Sequence, residues 1–184
     1  PMRLLMASTS YPRDADDWRG VFIRHMAFAL ARRPGLALSL WSPPGEIPPG
    51  TRQLATGNET RWLGGLMQAG GISHLMRHDR VRAVMATARM MRMLHQAYRR
   101  DPSTELYHVN WLQSAIPLPA DRKPLLVTVL GNDLKLLRLP LVTRLVRRAM
   151  RGRRVVVCPN AEWMREPLEA AFGDVARIEP VVFG

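Results

Sequence analysis

Cysteine is almost absent. Cys158 is the single thiol, so no intrachain disulfide can form and a reducing, cytoplasmic setting is expected. It closes an apolar run and reads as a small buried hydrophobe. Long apolar runs are missing as well. None approaches the ~18 residues of a membrane-spanning helix, and residues 4–7 are far too few for a signal-peptide core. There is no Gly-Lys-Ser or Gly-Lys-Thr phosphate loop, and no Gly-x-Gly-x-x-Gly follows the first apolar segment. Zinc-type Cys/His spacing and the Gly-x-Ser-x-Gly nucleophile elbow are missing too. Histidines stand singly at 25, 74, 78, 95 and 108, so no metal ligands are assigned and no resident cofactor is expected. Carboxylates are few: 15 against 27 lysines and arginines, a net charge of +12. That balance points to an anionic partner, whether nucleic acid, a lipid surface or a phosphorylated ligand. An RNA-binding aromatic platform and a basic helix-turn-helix are both lacking, which weighs against nucleic acid.

What is present is organised around residues 125–134, Leu-Leu-Val-Thr-Val-Leu-Gly-Asn-Asp-Leu. An uncharged, β-branched run of this kind reads as a strand buried on both faces of a parallel sheet. It ends in Gly131-Asn132-Asp133, and a helix is predicted over 136–150, notched at Pro140. Strand, small polar loop and helix place a ligand beyond a strand's carboxyl end; the same pattern also fits an ordinary turn in which Asp133 caps the helix. Elsewhere the spacing predicts strands over 3–8, 36–41, 106–109, 154–158 and 175–182, and a short one within 53–62. Helices are predicted over 21–33, 77–99 and 161–172, with a short one over 112–118. In the 77–99 helix the apolar side is read as Val81, Val84, Met85, Ala88, Met91, Leu94 and Tyr98. In the 136–150 helix it is read as Leu141, Leu145, Val146 and Met150, opposite a basic face of Arg144, Arg147, Arg148 and Arg151. Residues 62–75 carry paired glycines and read as a loose apolar loop. Strands alternating with helices give an α/β, Rossmann-like domain with a mostly parallel sheet of six or seven strands and helices on both faces.

Polar residues follow four of these strands: Ser8, Thr9 and Ser10; His108 and Asn110; Gly131, Asn132 and Asp133; Asn160 and Glu162. In a parallel sheet those ends share an edge, so the four groups are expected to line one cleft.

The order of these segments resembles the amino-terminal half of the group 1 family of retaining, nucleotide-sugar-dependent glycosyltransferases of the GT-B fold. Tyr11-Pro12 and Gly20-Val21-Phe22 resemble the family's first loop and helix. Residues 107–111, Tyr-His-Val-Asn-Trp, are similar to its His-x-His-Trp segment, with Asn110 in place of the second histidine. Residues 127–133 are similar to its His-Gly-Ser-Asp segment, with Leu130 where histidine is usual. Residues 155–168 resemble its strand, Ser/Asn and helix, and Val182-Phe183-Gly184 resembles the start of its interdomain linker.

The resemblance implies that residues 1–184 form the acceptor-side domain of a two-domain enzyme whose other domain holds most of the nucleotide-sugar site. The nucleoside-diphosphate sugar would be a co-substrate, and this chain alone is expected to be inactive. His108, Asn110, Trp111, Asn132, Asp133, Asn160 and Glu162 would line the acceptor side, and the loop at Gly20 and Val21 would approach the donor diphosphate. The acceptor is expected to be a sugar or lipid-linked sugar. Attachment to an anionic inner membrane face is expected through the arginine face and insertion of Trp62, Leu63 and Leu66. The competing readings are a non-catalytic basic module for nucleic acid and a doubly wound nucleotide-binding or regulatory domain.

Overall fold

A computed structural model describes residues 1–182; Phe183 and Gly184, part of the linker-like segment, lie outside the described residues. Seven strands form one sheet: β1 (Met2–Ala7), β2 (Leu36–Trp41), β3 (Arg52–Gln53), β4 (Leu106–Asn110), β5 (Leu125–Val129), β6 (Val155–Pro159) and β7 (Arg177–Ile178). Their order is β3-β2-β1-β4-β5-β6-β7, and every pairing is parallel. Six α-helices connect them: α1 (Val21–Ala31), α2 (Gly57–Gln68), α3 (Gly71–His78), α4 (Arg80–Arg100), α5 (Pro140–Met150) and α6 (Arg165–Phe172). The α/β, Rossmann-like expectation therefore holds, at the upper end of its strand count.

Alternation along the strands separates two cores. Leu4, Met6, Leu38 and Leu40 face α1 through Ile23 and Ala27. Leu5, Ala7, Val109, Val127, Val129 and Val157 face the opposite way, onto Leu94 and Tyr98 of α4, Val146 and Met150 of α5, and Leu168 and Phe172 of α6. One layer of helix thus lies on each side of the sheet.

Four boundaries or faces differ from expectation, each for a physical reason. Residues 62–75 are not a loop. They belong to α2 and α3, which meet at Gly70 and Gly71, both at positive φ. A capping box starts α2: the Thr56 hydroxyl accepts from the Glu59 amide, and the Glu59 carboxylate accepts from the Thr56 amide. Leu63 is buried in the main core with Trp62 and Leu66 packed against it, so tertiary contact overrides the poor helix propensity of Gly64 and Gly65. Residues 136–150 are not one helix. A 3-10 segment, Asn132–Arg138, ends at Leu139, whose backbone is extended because Pro140 follows, and Pro140 then begins α5. Leu141 of α5 is exposed rather than buried, and Arg147 leaves the basic face to fork onto Asp174 at 2.6 Å through both nitrogens. The last strand shrinks to Arg177–Ile178, although the Glu179 and Val181 amides continue the ladder onto Val157 and Pro159.

The fourth difference lies in α4. Its buried side is Ala83, Met90, Met93, Leu94, Ala97 and Tyr98, whereas Val81, Val84 and Met85 are 71%, 64% and 67% exposed. A 21-residue helix is about 31 Å long, while a five-residue strand spans only about 17 Å. The helix is therefore longer than the strands it covers. Ala83 in its amino-terminal half is still fully buried, so Val81, Val84 and Met85 are exposed because they lie on the opposite side of the helix from Ala83, Met90, Leu94 and Ala97.

Candidate functional site

The carboxyl ends of β1, β4 and β5 are tied together by side chains. Asn110, fully buried, donates from Nδ2 to the Ala7 carbonyl at 3.0 Å and accepts at Oδ1 from the Thr128 hydroxyl. It therefore reaches both neighbouring strands from the middle one. Asp133 performs the same kind of link one layer out. Its Oδ1 accepts from the Gly131 amide and its Oδ2 from the Leu112 amide, each at 3.1 Å, which joins the loop after β5 to the loop after β4. Burial pushes the Asp133 carboxyl above its ordinary range, against the pull of the amides that donate to it, Leu112 foremost. The helix-capping alternative is thereby replaced by a loop-to-loop bridge. Trp111, between these two groups, has φ 74° and donates its amide to the Thr128 carbonyl at 2.9 Å. A non-glycine residue held there stores local strain, and its position is set by the surrounding bonds.

Not all expected residues join this cluster. His108 lies mid-strand in β4, in register with Met6 and Leu126, and is 2% exposed. Neither ring nitrogen has a hydrogen-bond partner, and burial holds its pKa down at about 4. It is a neutral imidazole inside the sheet, two residues short of the strand end. Asn132 is exposed beside Asp133. Asn160 follows β6 through its backbone, donating its amide to the Val129 carbonyl at 3.1 Å. Glu162 is exposed and paired with Arg165 at 2.6 Å, so its charge is turned toward α6. Leu130 packs with Trp111 on the α1 face of the sheet, an apolar setting that suits leucine.

Gly20 precedes α1 at φ 70°. A Cβ there would lie 2.7 Å from the Tyr11 nitrogen and 2.8 Å from the Ser10 hydroxyl. Both its backbone conformation and the lack of room demand glycine. The Ser10–Tyr11 segment of the chain itself is enough to impose that demand. The adjacent Val21 amide is directed to the Trp18 carbonyl at 3.4 Å. Tyr11 is fully buried and donates its hydroxyl to the Glu46 carbonyl, fastening the loop after β2 onto the loop after β1.

Sequence reasoning missed three residues at this edge. Thr128 supplies the hydroxyl that completes the Asn110 link; a lone polar residue in an apolar strand was its signal. Trp18 and Trp163, in the loops after β1 and β6, are 81% and 67% exposed, and no local pattern marks them. Among the described residues no group of three or more His, Cys, Asp or Glu side chains is placed to hold a metal ion. The edge is thus a cross-braced polar floor with exposed groups above it. Asn110 and Asp133 spend their polar atoms on the chain itself, which leaves exposed groups such as Asn132 to face solvent. No protein-family model matches the chain, and no curated protein matches it either.

Proposed function

We propose that this chain is the acceptor-binding, Rossmann-like domain of a nucleotide-sugar-dependent, retaining glycosyltransferase. The observation that carries the reading is the carboxyl edge, where Asn110 and Asp133 lock three strands and two loops into one polar floor. Ligands of open parallel sheets bind outside this edge. The similarity of residues 107–111 and 127–133 to the group 1 segments supports the chemistry. In this reading Asn110 and Asp133 position the floor, while Asn132, Trp111 and Asn160 face the acceptor. The donor diphosphate sits mainly on a second α/β unit.

Asn132 is exposed and without a side-chain partner among the described residues, so its replacement separates binding from folding. In the enzyme that carries both units, Asn132→Ala should lower kcat/KM for the acceptor about tenfold, the loss of roughly one good hydrogen bond. Its melting temperature should stay unchanged. The chain of residues 1–184 alone should transfer no sugar. Micromolar affinity of that chain for a nucleoside-diphosphate sugar in calorimetry would defeat the two-unit reading.

A lipid-linked acceptor would bring the protein to a bilayer, and in this reading the contact is made by α4 rather than by residues 62–66. Leu63 is in the core and cannot insert, with Trp62 and Leu66 half-buried beside it. The outward side of α4 presents Val81, Val84 and Met85, and Met76 of α3 is exposed as well. Residues 60–100 hold eight arginines and one carboxylate, Asp79. Among the described residues no helix is long and apolar enough to cross a membrane, so attachment would be peripheral. Vesicles with an anionic lipid should sediment the protein at low salt, and Val84→Asp with Met85→Asp should abolish this. Equal supernatant recovery with anionic and neutral vesicles would remove the bilayer from the proposal.

A further inference from the structure

The opposite edge of the sheet carries a second concentration of charge. The turns that lead into β5 and β6 enclose a hollow of about 440 Å³ between α4 and α5. His95, Leu118, Arg122, Arg148, Arg151 and Arg153 contribute to its wall. Arg153 is its rigid part. The side chain is 2% exposed and donates to Asp121 Oδ1 at 3.0 Å and to the Lys123 and Pro119 carbonyls at 3.1 and 2.6 Å. Asp121, the one carboxylate in this wall, is saturated by Arg153, by the Tyr107 hydroxyl at 2.6 Å and by the Lys123 amide at 3.2 Å. The neighbouring acid, Asp174, is held by Arg147. Among the described residues Arg122, Arg148 and Arg151 have no carboxylate within 4.0 Å.

Three unneutralised guanidinium groups around one hollow repel each other, and a bound anion would relieve that repulsion. Guanidinium forks match the paired oxygens of carboxylate and phosphate groups, and a phosphate ester brings the larger negative charge to three cations. The volume falls within the roughly 300–1,000 Å³ of small-molecule sites, so it admits more than a single phosphate. We propose that this hollow binds a small polyanion of the phosphate-ester class, with Arg122, Arg148 and Arg151 on its oxygens and the fixed Arg153–Asp121 pair as its base. The site stands about 17 Å, one strand length, from the carboxyl edge. It is therefore separate from the acceptor floor and does not depend on the glycosyltransferase reading.

The probe is pyrophosphate, titrated into the full chain at ionic strength matched with sodium chloride. Melting temperature should rise by several degrees and saturate, because a ligand of the native state stabilises by mass action. Arg148→Gln with Arg151→Gln, both exposed, should weaken binding by about tenfold or more in calorimetry, and Asn132→Ala should leave it unchanged. No rise beyond the chloride control, or a rise that survives Arg148→Gln with Arg151→Gln, overturns the site. A free ester and a lipid headgroup present the same oxygens, so phosphatidic acid vesicles form a second arm. Retention that these two substitutions abolish and pyrophosphate displaces assigns the ligand to a lipid. Pyrophosphate binding without such retention assigns it to a free ester.

Discussion

Glu59→Ala should destabilise the protein by about 3–5 kcal/mol in urea denaturation, a fall of roughly 10 °C in melting temperature. Glu59 is 6% exposed and serves four donors at once. Arg100 forks onto its two oxygens at 2.8 and 3.1 Å, Trp41 Nε1 donates at 3.1 Å, and the Thr56 amide donates at 3.0 Å. Alanine leaves the Arg100 guanidinium with the Leu54 carbonyl but no carboxylate, and takes the acceptor from the buried Trp41 indole N–H and from the Thr56 amide. Burial pulls the Glu59 pKa up, but the bonds from Arg100, Thr56 and Trp41 outweigh it and hold the value below the ordinary glutamate range. That stabilisation is present above the unfolded pKa and disappears as pH falls through the lower folded one. Glu59→Gln, which keeps an acceptor for Thr56 and Trp41 but not the charge facing Arg100, should recover part of the loss. A cost under about 1 kcal/mol for Glu59→Ala would mean that the network contributes little beyond its cap.

His108 should make the protein acid-sensitive well above the carboxylate range. Burial lowers its pKa from 6.5 to about 4, so between those values the unfolded chain binds the proton and the folded one does not. Stability is complete above pH 6.5 and declines as pH falls toward 4, by roughly 3 kcal/mol in all. His108→Leu should flatten urea midpoints across this window. It should not lower stability at pH 7, because neither imidazole nitrogen has a partner to lose. An unchanged pH slope in the leucine variant would show that His108 is protonated in the folded state at these pH values. It would also reopen His108 as a group that meets ligand.

The two variants mark where sequence was informative and where it was not. The uncharged run over 125–129 announced a doubly covered strand, and the structure places it beside the centre of the sheet. Polar residues after successive strands announced the edge on which a site would form. The bonds that build the floor were not legible, because Asp133 meets an amide 21 residues away and Asn110 meets a carbonyl 103 residues away. Only the fold brings those atoms together. His108 misled by proximity: two positions from a strand end is enough to move a side chain from the edge into the interior. The stripe Val81, Val84, Met85 and Ala88 misled in another way. Its helical period was real, but the side of α4 that starts at Ala83, not the one that starts at Val81, is the buried one. Similarly, Glu59 read as an ordinary helix-start carboxylate until Trp41 and Arg100 closed over it.

The placement of β1 between β2 and β4 has a consequence for how the chain assembles. Leu4 pairs with Leu38 on one side and with Leu106 on the other. The first contact closes a short loop and the second closes one of about a hundred residues, so the latter carries the larger entropic cost. At the roughly 5–20 residues per second of synthesis, one margin of β1 waits several seconds for its neighbour. Strands β4 to β7 then arrive in the order in which they lie in the sheet, each against the edge just completed. The sheet thus grows outward from a seam that only β4 can close.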